Sequence, residues 1–229
     1  MTRVLVTGST RGLGEEVARR LEDRGDEVVR HGRADADLSS LDEVRRYAAE
    51  VGEVDLLVNN AGLVSLDRQL SADGYELCFA VNYLAGFLLW DELRPARVVN
   101  VASAGQRAID FYDVMLERGY DPGRAYSQSK LAQILFTFEL AERAPGGVTC
   151  DALHPATFMD TDMVRRIRGP GRAQSTVAEG ADAAMYVIDA PGTGRYFDGL
   201  RESAADPQAY DPEARRRLWR LSEELCGTA

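Results

Sequence analysis

Short apolar runs alternate along the whole chain with longer stretches in which apolar residues recur at helical spacing. The short runs predict strands at 3–6, 27–30, 54–58, 97–102, 148–153 and 194–197. The longer stretches predict helices at 13–24, 40–51, 75–93, 124–143, 176–188 and 213–225. Alternating strands and helices are typical of a parallel sheet with helices on both faces, so we expect one doubly wound α/β domain over residues 1–229. Residues 31–37 must carry any third strand, and we expect one helix to be missing there.

The charge balance narrows the possible partners. The 229 residues include 27 Lys and Arg against 37 Asp and Glu, a formal net charge of −10. A chain this acidic is a poor candidate for binding nucleic acid or an anionic membrane. We expect no signal peptide and no transmembrane segment. Three scattered cysteines favour reduced thiols and a cytoplasmic location, and the two histidines show no metal-binding spacing, so we expect no bound metal.

A glycine-rich turn lies between the first predicted strand and the first predicted helix. Gly8, Gly12 and Gly14 follow the spacing Gly-x-x-x-Gly-x-Gly. Glycine is needed where φ is positive and where backbone approaches a ligand closely. The helix that follows offers free N–H groups and the positive end of its dipole to a pyrophosphate. The turn therefore indicates a dinucleotide site on a Rossmann-type fold.

Tyr126 and Lys130 stand four residues apart in the predicted helix 124–143. Residues at this spacing share one helix face, so the phenol and the ammonium can lie in one pocket. A free phenol has a pKa near 10, and a neighbouring cation lowers it. Together with a dinucleotide site, this pair indicates hydride transfer at a carbonyl or an alcohol.

With Asn59-Asn-Ala-Gly62 closing a strand, these motifs occur in a familiar order, and the chain resembles the short-chain dehydrogenase/reductase family over nearly its whole length. The long interval between Ser103 and Tyr126 and the stretches 129–137 and 217–222 resemble its retinol-dehydrogenase-like branch.

The resemblance implies a catalytic tetrad of Asn82, Ser103, Tyr126 and Lys130. Tyr126 would donate a proton to the carbonyl oxygen, which Ser103 would hydrogen-bond. Lys130 would also hold the nicotinamide ribose, and Asn82 would position a water that relays protons to Lys130.

The resemblance also implies a set of cofactor contacts. They are Gly8, Ser9, Thr10, Arg11, Gly12, Leu13, Gly14, Arg33, Asp37, Leu38, Asn60, Ala61, Gly62, Tyr126, Lys130, Pro155, Ala156, Thr157 and Thr161. Asp37 and Leu38 would flank the adenine, although Asp37 also suits an N-terminal cap of the next helix. Ala156 replaces a glycine that is common in the family, and either Thr161 or Thr157 would contact the nicotinamide carboxamide. Residues 157–175 would form a mobile lid, whose arginines either bind an anionic substrate or are solvated.

The residues after the second strand favour NADP(H) over NAD(H). Val29-Arg-His-Gly-Arg33 lacks the acid that usually binds a ribose 2′-hydroxyl. Arg11 and Arg33 could converge on a 2′-phosphate, with Arg30 or His31 assisting, because a guanidinium suits bidentate phosphate binding. Alternatively, these arginines are simply solvated.

Three functions fit these motifs. The first is an NADPH-dependent reductase of ketones or aldehydes, acting reversibly with Tyr126 as general acid and base. The second is a non-catalytic NADP-binding sensor or scaffold protein. The third is a sugar-nucleotide epimerase or dehydratase, which needs a larger C-terminal domain than the 229 − 154 = 75 residues after His154.

The substrate and assembly follow less directly from the sequence. Phe111, Tyr112 and Met115 in the stretch before Tyr126 suggest an apolar lip, hence a small lipophilic carbonyl or alcohol, although an ordinary packed loop fits equally. Members of the family often pair through the helices that match 75–93 and 124–143, so a homodimer or homotetramer is possible. The C-terminal helix at 213–225 could promote or block that pairing.

Overall fold

The computed structural model of the chain describes residues 1–143 and 147–228. The strands are β1 (Arg3–Val6), β2 (Glu27–Arg30), β3 (Leu56–Asn59), β4 (Arg97–Val101), β5 (Thr149–His154), β6 (Arg195–Asp198) and β7 (Arg201–Glu202). The helices are α1 (Gly12–Asp23), α2 (Leu41–Val51), α3 (Leu77–Phe79), α4 (Ala85–Leu93), α5 (Pro122–Arg143), α6 (Asp162–Arg168), α7 (Val177–Asp189) and α8 (Pro212–Cys226). A π-helical segment at Ala80–Leu84 joins α3 to α4, and a 3₁₀ turn at Pro207–Tyr210 precedes α8.

The seven strands form one sheet in the order β2-β1-β3-β4-β5-β6-β7. The first six strands are parallel, and β7 is antiparallel to β6. The chain leaves β1 toward β2 at the edge and then crosses back to β3 on the other side of β1. The strand order therefore reverses beside β1, and ligands of open α/β sheets bind at such a point, outside the carboxyl ends of the strands.

Helices cover both faces of the sheet, as the alternating pattern predicts. One apolar layer packs α1 and α7 against the sheet, and the other packs α2, α4, α5 and α8 against the opposite face. The fold is the expected single-sheet Rossmann-type α/β architecture. No helix in the described ranges 1–143 and 147–228 has both the length and the apolar character needed to cross a membrane.

Three details differ from the sequence prediction. Residues 31–40 form neither a strand nor a helix, so β2 is the edge of the sheet. The predicted helix 75–93 begins at Leu77 and is interrupted by the π-helical segment. The last predicted strand, at 194–197, corresponds to β6. It is followed by β7, a strand of two residues that was not predicted and that pairs antiparallel with β6 at the edge of the sheet.

The C-terminal helix α8 packs across α4 and α5 through aromatic rings. The Trp219 ring centroid lies 5.4 Å from that of Phe87, 5.2 Å from Trp90 and 6.0 Å from Phe136. The contacts with Phe87 and Trp90 are edge-to-face and the contact with Phe136 is tilted. Aromatic contacts at these separations add to the free energy gained by burial. The C-terminal helix thus covers part of α4 and α5, the helices through which pairing was expected.

A buried carboxylate joins three neighbouring segments on the α7 side of the sheet. Asp151, in the middle of β5, is fully buried and accepts hydrogen bonds from Arg97 (2.8 Å) and Arg195 (3.0 Å). The Arg97 guanidinium also donates to the Val187 carbonyl at the end of α7 (2.6 Å). These partners compensate for the loss of hydration that a buried charge suffers.

We predict that Asp151→Ala lowers the free energy of unfolding by about 3–5 kcal/mol, because it leaves two largely buried guanidinium groups without their carboxylate. Urea unfolding followed by circular dichroism measures the change. Glu27→Ala is the matched control: it removes the carboxylate of the more exposed Arg3–Glu27 pair (2.8 Å), and such a pair contributes only about 0–1 kcal/mol. Equal losses in the two variants would contradict the prediction.

Candidate active site

Four segments singled out in the sequence meet at one edge of the sheet. The glycine turn follows β1, Asn60 to Gly62 follow β3, Ser103 follows β4 and Pro155 to Thr161 follow β5. Because β1, β3, β4 and β5 are parallel neighbours, their carboxyl ends open on the same side.

The glycine turn is packed so closely that side chains are excluded. Gly8 and Gly12 have φ values of +65° and +58°. A Cβ on Gly14 would overlap the Gly8 carbonyl oxygen and the Asn60 amide. Asn60 donates to the Thr7 carbonyl (2.8 Å) and to the Gly8 carbonyl (3.2 Å), which fastens the turn to the end of β3. This is the cradle of bare backbone that a pyrophosphate requires.

The N-terminus of α1 has the free donors that a phosphate needs. Helix α1 begins at Gly12, and the side chain of its N-cap residue, Arg11, makes no capping hydrogen bond. By contrast, Ser40, Thr176 and Asp211 cap the helices that follow them. The first N–H groups of a helix have no partner within it, so α1 presents donors to an anion. The residues present therefore fit the diphosphate of a dinucleotide.

Two of the four groups expected near a 2′-phosphate are engaged elsewhere. The Arg30 guanidinium binds Glu22 through two 2.8 Å hydrogen bonds. The His31 ring is buried, with Nδ1 accepting from the Gly8 N–H (3.2 Å) and Nε2 facing the Ala36 carbonyl (3.1 Å). Neither group faces a free phosphate position in this structure, and the suggestion that Arg30 or His31 assists 2′-phosphate binding stays a prediction.

Arg11 and Arg33 remain accessible at the mouth of the glycine turn. Their side chains are 79% and 86% exposed. Arg11 lies 3.6 Å from Asp162, and Arg33 binds Asp37 at 2.9 Å. Thr10 packs against Gly32, and a Cβ placed on Gly32 would meet the methyl group of Thr10. The glycine turn and the loop at 31–33 are therefore in contact.

Asp37 is not the cap of α2. Ser40 caps that helix by accepting from the Glu43 N–H (3.4 Å). Asp37 instead accepts from the backbone and the hydroxyl of Ser39 (3.0 and 2.8 Å). Leu38, beside it, is buried.

The phenol of Tyr126 and the hydroxyl of Ser103 are neighbours. Burial raises the pKa of the Tyr126 phenol above its ordinary value, and the nearby Ser103 hydroxyl partly offsets this. The Lys130 Nζ lies 5.8 Å from the centre of the Tyr126 ring. The expectation that the Tyr126 phenol has a lowered pKa is not met in this structure, because burial of the phenol itself raises that pKa.

Lys130 is buried with its ammonium turned toward the protein interior. Nζ donates to the Val101 carbonyl (2.7 Å) and to Oε1 of Gln133 (3.0 Å). Burial lowers the pKa of Lys130 to about 7. The Val101 carbonyl and the Gln133 amide replace part of the hydration that the Lys130 ammonium loses on burial.

Asn82 lies within the π-helical segment, a kind of irregularity that is frequent at functional sites. Its side chain pairs with the Leu63 backbone, accepting from N–H (2.8 Å) and donating to the carbonyl (3.1 Å). It also donates to Ser129 (2.9 Å), whose hydroxyl donates to the Tyr126 carbonyl. Asn82 thus fixes the loop after β3 to the tyrosine helix, and its role in positioning a water stays a prediction.

The structure separates the two threonines of the loop after β5. Thr157 Oγ1 lies 3.1 Å from Nε2 of His154. Thr161 caps α6, and its methyl group lies 3.6 Å from a Cβ placed on Gly12. Thr161 therefore borders the glycine turn, whereas Thr157 is held by the histidine. Between His154 and Thr157 in the chain, Pro155 is buried and Ala156 is half-buried.

The segment expected to be a lid carries helix α6 and is closed at its base. Met159 and Ser175 form a bridge of parallel strand type. Arg165 binds Asp160 (2.5 Å) and Asp162 (2.8 Å), so it is not free for an anionic substrate.

The prediction that Phe111, Tyr112 and Met115 form an apolar lip over the substrate is largely wrong. Phe111 and Met115 pack against the main core, and the Arg217 guanidinium lies 4.8 Å from the Phe111 ring centre. Tyr112, 79% exposed, is the member of this group that faces solvent.

Sequence reasoning missed two polar side chains that hold this site. Gln133 contacts Lys130, and His31 contacts the glycine turn. A polar residue three positions after Lys130, inside an otherwise apolar helical run, was the available signal for Gln133. Within the described part of the chain, no three potential metal-binding side chains converge.

Comparison with known proteins agrees with this geometry. The sequence pattern of the short chain dehydrogenase family matches residues 34–170, more than half of the chain. Retinol dehydrogenase 13 of Mus musculus is 36% identical, with 99% of this chain and 84% of that protein covered. Retinol dehydrogenase 12 of Homo sapiens is 34% identical, with coverage of 98% and 86%.

Solved structures share the fold. An uncharacterised protein from Mycobacterium paratuberculosis superposes with a TM-score of 0.83 at 30% identity, covering 99% of this chain and 94% of its own. An NADPH-bound carbonyl reductase from chicken fatty liver gives 0.65 at 20% identity, covering 90% and 94%, which shows likeness of fold alone.

The chain belongs to the short-chain dehydrogenase/reductase family, whose members are oxidoreductases acting between alcohols and carbonyl compounds. Within that family it lies in the retinol-dehydrogenase-like branch.

We predict that Gln133→Leu lowers the pKa of Lys130 further, by about one unit, because the ammonium loses one of its two hydrogen-bond acceptors. Gln133→Glu should raise that pKa, since it places a carboxylate at the same point. NMR titration of the Lys130 side chain measures both shifts. Gln128→Leu, which removes another buried amide of α5, should leave Lys130 unchanged. The role given to Gln133 is wrong if its two variants titrate alike.

Proposed function

We propose that the protein is an NADPH-dependent reductase of ketones or aldehydes, reversible as an alcohol dehydrogenase. The observation that carries the proposal is the convergence of Ser103, Tyr126 and Lys130 beside an uncapped helix N-terminus and a glycine cradle. Fold alone would not justify it, because one fold serves many reactions.

The bound dihydronicotinamide would supply a hydride to the carbonyl carbon. Ser103 hydrogen-bonds the substrate oxygen and holds it beside the Tyr126 phenol. As negative charge develops on that oxygen, Tyr126 donates its proton, and the Ser103 hydroxyl stabilises the phenolate that remains. The raised pKa of Tyr126 keeps the phenol protonated before reduction. The alcohol leaves, and Tyr126 recovers a proton from solvent through Lys130 or a water held near Asn82.

We predict that Tyr126→Phe lowers kcat for carbonyl reduction by about 10²–10⁴-fold, because the general acid is lost. NADPH oxidation against a panel of ketones, aldehydes and quinones measures this, with cofactor binding followed by fluorescence. Tyr120→Phe is the control, since that phenol binds the Ser65 carbonyl instead (2.8 Å). Cofactor binding without turnover in either protein would favour the alternative, a non-catalytic NADP-binding sensor or scaffold.

The preference for NADP(H) would arise from Arg11 and Arg33. Both guanidinium groups are exposed beside the glycine turn, and each rests against a carboxylate, Asp162 or Asp37. A guanidinium binds phosphate and carboxylate alike through two parallel hydrogen bonds, so a 2′-phosphate would take the place of these surface carboxylates as the partner of each arginine. Asp37 and Leu38 would then border the adenine, and Thr161 would contact the nicotinamide carboxamide.

We predict that Arg33→Ala weakens NADPH binding about 10- to 100-fold, as expected for loss of a charge-assisted hydrogen bond of about 1.5–3 kcal/mol. NADH binding should change little. Isothermal titration with both cofactors measures the ratio, and Arg216→Ala, a surface arginine of α8, is the control. Wild-type affinity for NADH equal to that for NADPH would contradict the selectivity.

The substrate we propose is a small lipophilic carbonyl or alcohol. Leu66, Tyr112, Ile167 and Leu200 are between 41% and 79% exposed. They lie on the segments that follow β3, β4, β5 and β6, whose carboxyl ends open on one edge of the sheet. Exposed apolar residues gathered around a site favour an apolar ligand.

We also propose a reducing, cytoplasmic location, because Cys78, Cys150 and Cys226 are all buried free thiols.

A homodimer or homotetramer through α4 and α5 stays a prediction. Since α8 packs over these helices, pairing there would require α8 to move.

A further inference from the structure

The glycine turn is held by a histidine from the shortened connection after β2. The Gly8 N–H donates to Nδ1 of His31 at 3.2 Å. The backbones also pair: the Ser9 N–H donates to the His31 carbonyl (2.9 Å), and the His31 N–H donates to the Ser9 hydroxyl (2.9 Å). The imidazole is thus one member of a small network that fastens the turn to residue 31.

The other side of the ring fixes the connecting loop. Nε2 lies 3.1 Å from the Ala36 carbonyl oxygen. A carbonyl only accepts, so Nε2 must carry the hydrogen, and the Gly8 N–H only donates, so Nδ1 must be bare. The two contacts together select the neutral Nε2–H tautomer.

We propose that His31 is a positioning residue for the phosphate-binding turn: its neutral ring sets the Gly8 backbone while anchoring the 31–40 loop at Ala36. The loop contains no strand or helix that could provide this support. The consequence for cofactor affinity rests on the proposed function; the contact between His31 and the turn does not.

Protonation removes the contact. A protonated ring carries a hydrogen on Nδ1, which would then face the Gly8 N–H, donor against donor. Burial lowers the pKa of His31 from its ordinary value of 6.5, while the Ala36 carbonyl and the Asp35 carboxylate offset part of this. The turn should therefore be intact at neutral pH and loosen only in acid.

The other ionisable groups around the His31 ring either stay neutral or bind other partners. Tyr47 of α2 packs edge-on at 5.1 Å, and burial raises its pKa to about 12, so it stays neutral. Arg46 of α2 donates to the Asp35 carbonyl, and Arg30 of β2 is bound to Glu22. Glycine turn residues 8 and 9, on the remaining side, carry no titratable side chain.

The first test needs no cofactor. The chain has two histidines, so ¹⁵N NMR with His154→Asn as the assignment control identifies the His31 signals. We expect an unprotonated Nδ1 and a protonated Nε2 at neutral pH, and a Gly8 amide signal that shifts with the His31 titration. An Nδ1–H tautomer, or a Gly8 amide that does not follow the titration, would overturn the proposal.

The second test separates titration of His31 from that of the cofactor. NADPH affinity is measured by fluorescence from about pH 8 down to a pH below the His31 pKa that the NMR titration gives. Below the pKa of His31, wild-type affinity should fall about tenfold more per pH unit than that of His31→Asn, because only the neutral form is competent. Asparagine offers an acceptor for Gly8 that does not titrate, whereas His31→Leu should bind weakly at every pH.

The two proposals fail in different ways. Wild-type protein that binds no NADPH near pH 8 contradicts the proposed function but leaves the NMR test of His31 decisive. Wild-type and His31→Asn proteins that bind NADPH with the same pH dependence would instead overturn the role of His31 and leave the reductase intact.

Discussion

Burial of the Lys130 ammonium is the constraint around which the site is organised. A desolvated charge costs several kcal/mol unless hydrogen bonds replace its hydration. Here the replacements are the Val101 carbonyl at the end of β4 and the Gln133 amide on the same helix. The Gly62 backbone also lies against Nζ, where a Cβ would be 3.4 Å away. The position of one nitrogen thus fixes how a strand end, a loop and a helix meet beneath Tyr126.

The sequence was a good guide to the elements and a poorer one to their side-chain contacts. Strand and helix periodicity placed β1 to β6 within one or two residues, because burial on both faces of a parallel sheet leaves a strong apolar signal. Position 82, by contrast, lies in a π-helical segment that periodicity cannot reveal, since an irregular turn depends on tertiary contacts such as those with Leu63.

The residues of the candidate site likewise divide into those that the sequence reveals and those that only the fold reveals. Gly8, Gly12 and Gly14 could be recognised because backbone conformation restricts residue type there. His31 was expected only to assist at a 2′-phosphate, and the fold alone shows its ring buried beside Gly8. Lys130 lies near the Tyr126 ring, as the spacing suggests, but the phenol's pKa is raised where the spacing suggested a lowered one, because the pKa depends on burial that spacing alone does not report.

The packing of α8 over α4 and α5 affects how the stability of the protein depends on its concentration. Stability that comes from contacts between subunits depends on protein concentration, whereas stability from contacts within one chain does not. Trp219 supplies its aromatic contacts with Phe87, Trp90 and Phe136 from the same polypeptide. The packing of the α5 helix that carries Tyr126 and Lys130 is therefore supported within a single copy of the chain, and that support is independent of how many copies surround it.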